Sequence, residues 1–112
     1  MIIDDSRGWQ DYYRNLLKDY DLEVFGDGVS AIMKTNEMLP AVVILDLLLV
    51  GPTGISVLNE MQSYDDLKKV PVVVVSDMVR DDLDLSEYGV VRAFDKSKML
   101  PVELVREIQK WI

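Results

Sequence analysis

The sequence predicts an α/β fold, a (βα)5 chain whose five parallel strands form one doubly wound sheet with helices on both faces. Three observations predict it. Short β-branched runs alternate with amphipathic stretches, the pattern of a parallel sheet covered on both sides. The length, 112 residues, is that of one ordinary domain, and a hydrophobic fraction of 49% supplies one core. Four apolar runs end in polar groups. Met1-Ile2-Ile3 runs into Asp4-Asp5, and Ala41-Val42-Val43-Ile44-Leu45 into Asp46. Val70-Pro71-Val72-Val73-Val74-Val75 runs into Ser76, and Val90-Val91-Arg92-Ala93-Phe94 into Asp95-Lys96. Open α/β sheets bind ligands outside the carboxyl ends of their strands, so parallel strands bring these groups to one rim.

Each element follows from local signals. The first strand spans about Met1 to Asp5. Ser6 is an N-cap for a helix to about Tyr20, in which Tyr12, Tyr13, Leu16, Leu17 and Tyr20 recur at three- and four-residue spacing. Leu22 to Phe25 is a brief second strand, closed by Gly26-Asp27-Gly28. A second helix covers about Val29 to Met38, and Pro40 stops it. The third strand is Ala41 to Leu45. The turn Gly51-Pro52-Thr53-Gly54 leads into a helix from about Ile55 to Gln62, with Ile55, Leu58 and Met61 as its buried stripe. The fourth strand is Val72 to Val75. A short fourth helix is expected in the acidic stretch Val79 to Tyr88, and Gly89 leads into the fifth strand. The last helix starts near Pro101, a favoured first helical position, and presents Leu104, Val105, Ile108, Trp111 and Ile112 to the core. No linker or repeat divides the chain, so residues 1–112 are expected to be a single domain.

Composition narrows the function. A formal net charge of −8 argues against binding nucleic acid through a basic face. The acid is spread along the chain and reads mainly as solvated surface. Without cysteine there are no disulfides and no zinc-thiolate site. Without histidine, histidine triads and phosphohistidine relays on this chain are excluded. Asp4 and Asp5 interrupt the N-terminus before a signal-peptide core could form, and Asp46 and Ser76 break the longest apolar stretches below membrane-spanning length. A cytoplasmic protein without membrane contact is the expectation.

Asp46 is the most informative position. A carboxylate inside an apolar run is costly to desolvate unless something uses or compensates it. Three carboxylates, a hydroxyl and an ammonium at one rim suit Mg²⁺ binding and phosphoryl chemistry. Taken singly, each has an ordinary explanation. Asp4-Asp5 could be an acidic turn, Ser76-Asp77 a helix cap, and Lys96 a solvated lysine. The tyrosines, methionines and tryptophans read as packing.

Along its whole length the sequence resembles the receiver domain of two-component response regulators. Asp4-Asp5-Ser6 is similar to the acidic pair of that family. Pro40 to Asp46 is similar to its phosphoacceptor strand, with Gly54 eight residues on. Val70 to Ser76 is similar to its fourth strand, at an offset of 76 − 46 = 30 from Asp46. Phe94-Asp95-Lys96 is similar to the strand that delivers its lysine, and Asp27-Gly28 with Ala31 fits its second helix. The resemblance implies a flavodoxin-like sheet in the order 2-1-3-4-5.

The resemblance also implies a chemistry. Asp46 would be the nucleophile that accepts a phosphoryl group. Mg²⁺ takes hard oxygen ligands. Asp5 and Asp46 would hold it directly, Asp4 through water, and the backbone carbonyl of Leu48 would complete the set. Two carboxylates ~4 Å apart repel by about 4 kcal/mol at an effective dielectric of 20, so the site should bind metal, raise a pKa or destabilise the domain. Lys96 would pair with Asp46 at rest and with a phosphoryl oxygen afterwards, and Ser76 would bond another phosphoryl oxygen. The donor would be a histidine kinase or phosphotransfer protein. With no output domain in these residues, the signal would pass to a downstream protein by contact. A homodimer is left open.

Several positions depart from the family pattern. Ala93 occupies the usual aromatic position three before the lysine, and Phe94 is expected to face the core. Ser97 replaces the proline after the lysine, and a cis bond to a non-proline residue costs roughly 2.5–4 kcal/mol, so a trans bond is expected. Asp77 replaces a small residue. Val50 replaces a proline, with Pro52 displaced. The segment from Ser76 to Lys96 is a residue or two short. Asp77, Ala93 and Ser97 favour a rival reading, a degenerate receiver that binds partners without phosphorylation. A second rival, an aspartyl-phosphate hydrolase, would need an aspartate two residues after Asp46, where Leu48 stands. The chain is therefore read as a switch rather than an enzyme.

Overall fold

The computed structural model describes residues 1–80 and 84–112. Five strands, β1 (Ile2–Ile3), β2 (Val24–Phe25), β3 (Val43–Leu45), β4 (Val72–Ser76) and β5 (Val90–Asp95), form one sheet in the order β2-β1-β3-β4-β5. Every pairing is parallel, with Ile2 opposite both Val24 and Ile44, Val43 opposite Val72, and Ser76 opposite Asp95. The helices are α1 (Arg7–Leu16), α2 (Gly28–Thr35), α3 (Gly54–Gln62) and α4 (Pro101–Gln109), joined by single 3₁₀ turns at Leu67–Lys69 and Ser86–Tyr88. The predicted doubly wound sheet and its strand order are those observed.

The alternation of side chains along each strand divides the core in two. Ile3, Val43, Leu45, Val72 and Val74 pack with Val57, Leu58 and Met61 of α3 and Ala31 of α2. Ile2, Ile44, Val73, Val75 and Phe94 pack with Tyr13 and Leu17 of the first helical segment and with Leu104 and Ile108 of α4. Buried on both faces, the central strands read as continuous apolar runs, as parallel strands do.

Three caps set where helices begin. Ser6 accepts a hydrogen bond from the Trp9 N–H, Asp27 from Ser30 and Thr53 from Ser56. The predicted helix boundaries differ from the observed ones in three places. The first helix stops at Leu16 rather than Tyr20, and the second at Thr35 rather than Met38, where the Thr35 hydroxyl bonds the Ile32 carbonyl. The last helix ends at Gln109, so Trp111 and Ile112, expected in the core, are 40% and 63% exposed. The buried stripe of α3 is Gly54, Val57, Leu58 and Met61, and Ile55 is half-buried.

The expected helix over Val79 to Tyr88 lies partly outside the described residues. Its described end holds only the 3₁₀ turn, because the Asp84 carboxylate accepts hydrogen bonds from both the N–H and the hydroxyl of Ser86. That local bonding competes with helical pairing. Among the described residues there are thus four α-helices rather than five.

Candidate functional site

The carboxyl ends of β1, β3, β4 and β5 place Asp4, Asp46, Ser76 and Lys96 together. Asp46 is 5% exposed, Asp4 1% and Ser76 fully buried. The Lys96 ammonium joins the two acids, with Nζ 2.7 Å from Asp46 Oδ2 and 2.9 Å from Asp4 Oδ2. The contact with Asp46 has hydrogen-bond geometry; Asp4 Oδ2 is in ion-pair range but accepts no hydrogen bond. Lys96 is therefore not solvated, and its pairing with Asp46 is the one expected from sequence. Its pairing with Asp4 was not expected.

Backbone donors fix the remaining oxygens. Asp46 Oδ1 accepts from the Leu48 N–H at 2.9 Å, Asp4 Oδ1 from the Ser6 N–H at 2.9 Å, and Asp5 Oδ2 from the Val50 N–H at 2.9 Å. The last bond gives the Val50 departure a structural meaning, since a proline there would have no N–H to donate. Asp5 itself is exposed. The Ser76 hydroxyl accepts from the Met78 N–H at 3.2 Å, and the Ser76 carbonyl accepts from the Lys96 N–H at 3.1 Å. Asp77 points away into solvent as an exposed residue.

Electrostatics follow from burial and this single cation. Burial pushes the Asp4 pKa above its ordinary value, against the pull of Lys96 and the Ser6 N–H. For Lys96, burial works to lower the pKa, but the two carboxylates outweigh it and the net shift is upward. The ammonium stays charged and neutralises roughly one of the two buried acids.

Asp4, Asp5 and Asp46 each offer one carboxylate oxygen, all within 4.8 Å of one another. Three hard oxygens gathered this closely, with the Lys96 ammonium alone offsetting the buried pair, suit a small divalent cation such as Mg²⁺. Gly54 lets the backbone close this pocket. A Cβ there would lie 2.5 Å from the Asp46 carbonyl oxygen and 2.5 Å from Leu47 Cα.

Trp9, whose place just past the acidic pair predicts that it reports on the site, lies with its ring 4.8 Å from Lys96 Nζ. One neighbour escaped the sequence reading: Gln10 Nε2 donates to the Asp4 carbonyl at 2.6 Å, from one turn into α1. On β5, Ala93 and Phe94 face opposite sides of the sheet. Phe94 is 5% exposed, in the core with α1 and α4, as expected, and the Arg92 guanidinium lies over its ring at 4.6 Å. Phe94 is the one aromatic residue of β5, so the strand itself carries no ring on its Ala93 side. No cis peptide bond occurs among the described residues, so Lys96–Ser97 is trans.

The chain matches the response regulator receiver domain family over residues 1–109. It is 28% identical over 99 residues to the response regulator Rcp1 of Synechocystis sp., covering 79% of this chain and 67% of Rcp1. It is 30% identical over 73 residues to the chemotaxis protein CheY of Listeria monocytogenes, covering 62% of this chain and 61% of CheY. The receiver domain of the sensor histidine kinase PA1611 from Pseudomonas aeruginosa PAO1, solved with a magnesium ion coordinated in its active-site cleft, superposes with a TM-score of 0.84 at 19% identity, covering 98% of this chain and 93% of that one.

Proposed function

This chain belongs to the response regulator receiver domain family of two-component signalling, and we propose that it is a switch worked by phosphorylation of Asp46. The observation that carries the reading is the buried Asp46 carboxylate, bonded at one oxygen by Lys96 and at the other by the Leu48 N–H, beside two further acids. An Asp46 oxygen attacks phosphorus in the donor. The new bond is O–P, and the donor's bond to phosphorus breaks with its electron pair leaving on the donor. A phosphorylated histidine of a kinase or phosphotransfer protein is the donor that fits the family.

Mg²⁺ would supply positive charge to the phosphoryl oxygens when bound. Asp5 and Asp46 would hold it directly, Asp4 through water, with the Leu48 carbonyl as a further ligand. Lys96, already placed against Asp46, shifts from it to neutralise a phosphoryl oxygen. Ser76 gives up its bond from Met78 and donates to another oxygen, which moves the end of β4 and biases the domain toward its signalling state. The output is contact with a downstream protein.

Treatment with Mg²⁺ and acetyl phosphate tests the reading by intact mass. A gain of one phosphoryl group supports it. No gain, from acetyl phosphate or from phosphorylated transfer proteins, would leave the second reading, a receiver that binds partners without phosphorylation. Ala93, which leaves one side of β5 without an aromatic ring, and Asp77, beside Ser76, are the observations that favour that alternative.

A further inference from the structure

The net charge is unevenly placed, contrary to the even spread that the sequence suggests at first reading. Between Asp21 and Asp66 there are eight acidic residues and one basic residue, Lys34, a balance of −7 out of the chain total of −8; of the eight, Asp46 is buried against Lys96 and Asp65 is paired with Lys68, just past the stretch. The rest of the chain is nearly neutral, with 12 acids against 11 bases. This acidic stretch contains α2 and α3, which pack side by side against one face of the sheet. Along their outer surface run exposed apolar side chains. Val29 is 55% exposed, Met33 65% and Tyr64 46%. Val29 and Met33 are one helical turn apart, and with Ile32 and Val57 they line a groove of about 410 Å³ that Glu60 and Tyr64 border.

We infer that the α2–α3 groove is the docking site for a cationic amphipathic helix of a partner protein. An apolar stripe in a groove is the receptor half of helix-in-groove recognition, which takes apolar anchors at three- and four-residue spacing. Charge complementarity selects the occupant. Lys34 is taken up by Glu37 at 3.0 Å and Lys68 by Asp65 at 3.2 Å, and Glu60 is left on the rim, held by the Tyr64 hydroxyl at 3.0 Å. A helix with lysine or arginine flanking its apolar stripe gains from this field and is steered to it. A second copy of this chain would bring the same negative charge to the same place, and an anionic membrane would be repelled. The unphosphorylated protein already presents the groove, so this docking does not depend on Asp46 chemistry. The loop before α3 links the two places, since Pro52 lines the groove and Val50 and Leu48 bond the site acids.

The test is titration of the ¹⁵N-labelled chain with an 18-residue peptide carrying leucines along one helical face and lysines along the other. A sequence-scrambled peptide of equal composition and a glutamate-for-lysine peptide serve as probes of shape and charge. The expected result is micromolar binding of the first peptide alone, shifts confined to α2 and α3, and at least tenfold weaker binding to Met33→Glu and Val29→Asp. Both substitutions are at exposed positions, and far-ultraviolet circular dichroism of each variant confirms its fold. Equal affinity for the scrambled peptide, unchanged binding by both variants, shifts mapping elsewhere, or a dimer of the free chain that Met33→Glu dissolves would each overturn the inference.

Discussion

Lys96 and Asp4 form an ion pair at 2.9 Å with only 6% and 1% of their side chains exposed. The same ammonium binds Asp46 at 2.7 Å, so one buried cation holds two buried acids. Removing one partner from a buried pair typically costs 3–5 kcal/mol, because an uncompensated charge remains. Lys96→Met is therefore expected to lower the unfolding free energy by about 3 kcal/mol or more in chelator. Mg²⁺ should restore much of the loss, by binding only the folded state. Urea denaturation with and without the metal measures both quantities. An unchanged midpoint in chelator would show that the pair contributes nothing.

Protonation of Asp4 gives the pH dependence a sign. Burial raises its folded-state pKa above the ordinary carboxylate value, with Lys96 and the Ser6 N–H opposing. In the window between the unfolded and the raised folded value, the folded chain holds a proton that the unfolded chain has released. Stability from this group is therefore greatest below the window and is lost as pH rises through it. Asp27, Asp84 and Asp95, whose pKa values are lowered chiefly by hydrogen bonds from nearby serines, slope the other way. They do so equally in wild type and Asp4→Asn, so the difference between the two isolates Asp4. That difference in unfolding free energy should fall as pH rises, then level off. A rising difference would contradict the assignment.

Gly54→Ala should damage both fold and site. The added methyl meets the backbone of Asp46 and Leu47, which cannot swing away as a flexible side chain would. Overpacking of this kind costs about 1–3 kcal/mol, and the displaced strand end carries Asp46, the proposed phosphoacceptor. Thermal melts and the rate of phosphoryl uptake should fall together. A variant with native melting and native uptake would show that the β3–α3 loop yields easily.

Trp9 should report on the site. Its ring lies 4.8 Å from the Lys96 ammonium, and drawing Lys96 toward a phosphoryl mimic changes that contact. In a Trp111→Phe background, which leaves Trp9 as the sole tryptophan, adding Mg²⁺ and beryllofluoride should alter the emission. Lys96→Met should abolish most of the response. A full response in Lys96→Met would place its origin elsewhere.

Much of this was legible in the sequence because parallel strands leave a strong trace. Valine and isoleucine runs that end in Asp46, Ser76 and Lys96 fix strand direction and gather the site in one step. The choice between the adjacent acids was not legible. Asp4 turns inward to Lys96 while Asp5 stays exposed on the Val50 N–H, and a dipeptide carries no signal of which side chain turns in. The Trp9 contact depends on how α1 lies over β5, a packing angle outside local sequence. Trp111 and Ile112 fit the apolar period of the last helix, but the helix ends before reaching them.

Three carboxylates share the pocket, so the central claim is that Asp46, rather than Asp4 or Asp5, carries the phosphoryl group. Reductive trapping of the acyl phosphate with borohydride after treatment with Mg²⁺ and acetyl phosphate, followed by peptide mass spectrometry, locates it. The expected result is a single modified residue, Asp46, absent without Mg²⁺ and absent in Asp46→Asn. Modification at Asp4 or Asp5, or full modification of Asp46→Asn, would contradict the account.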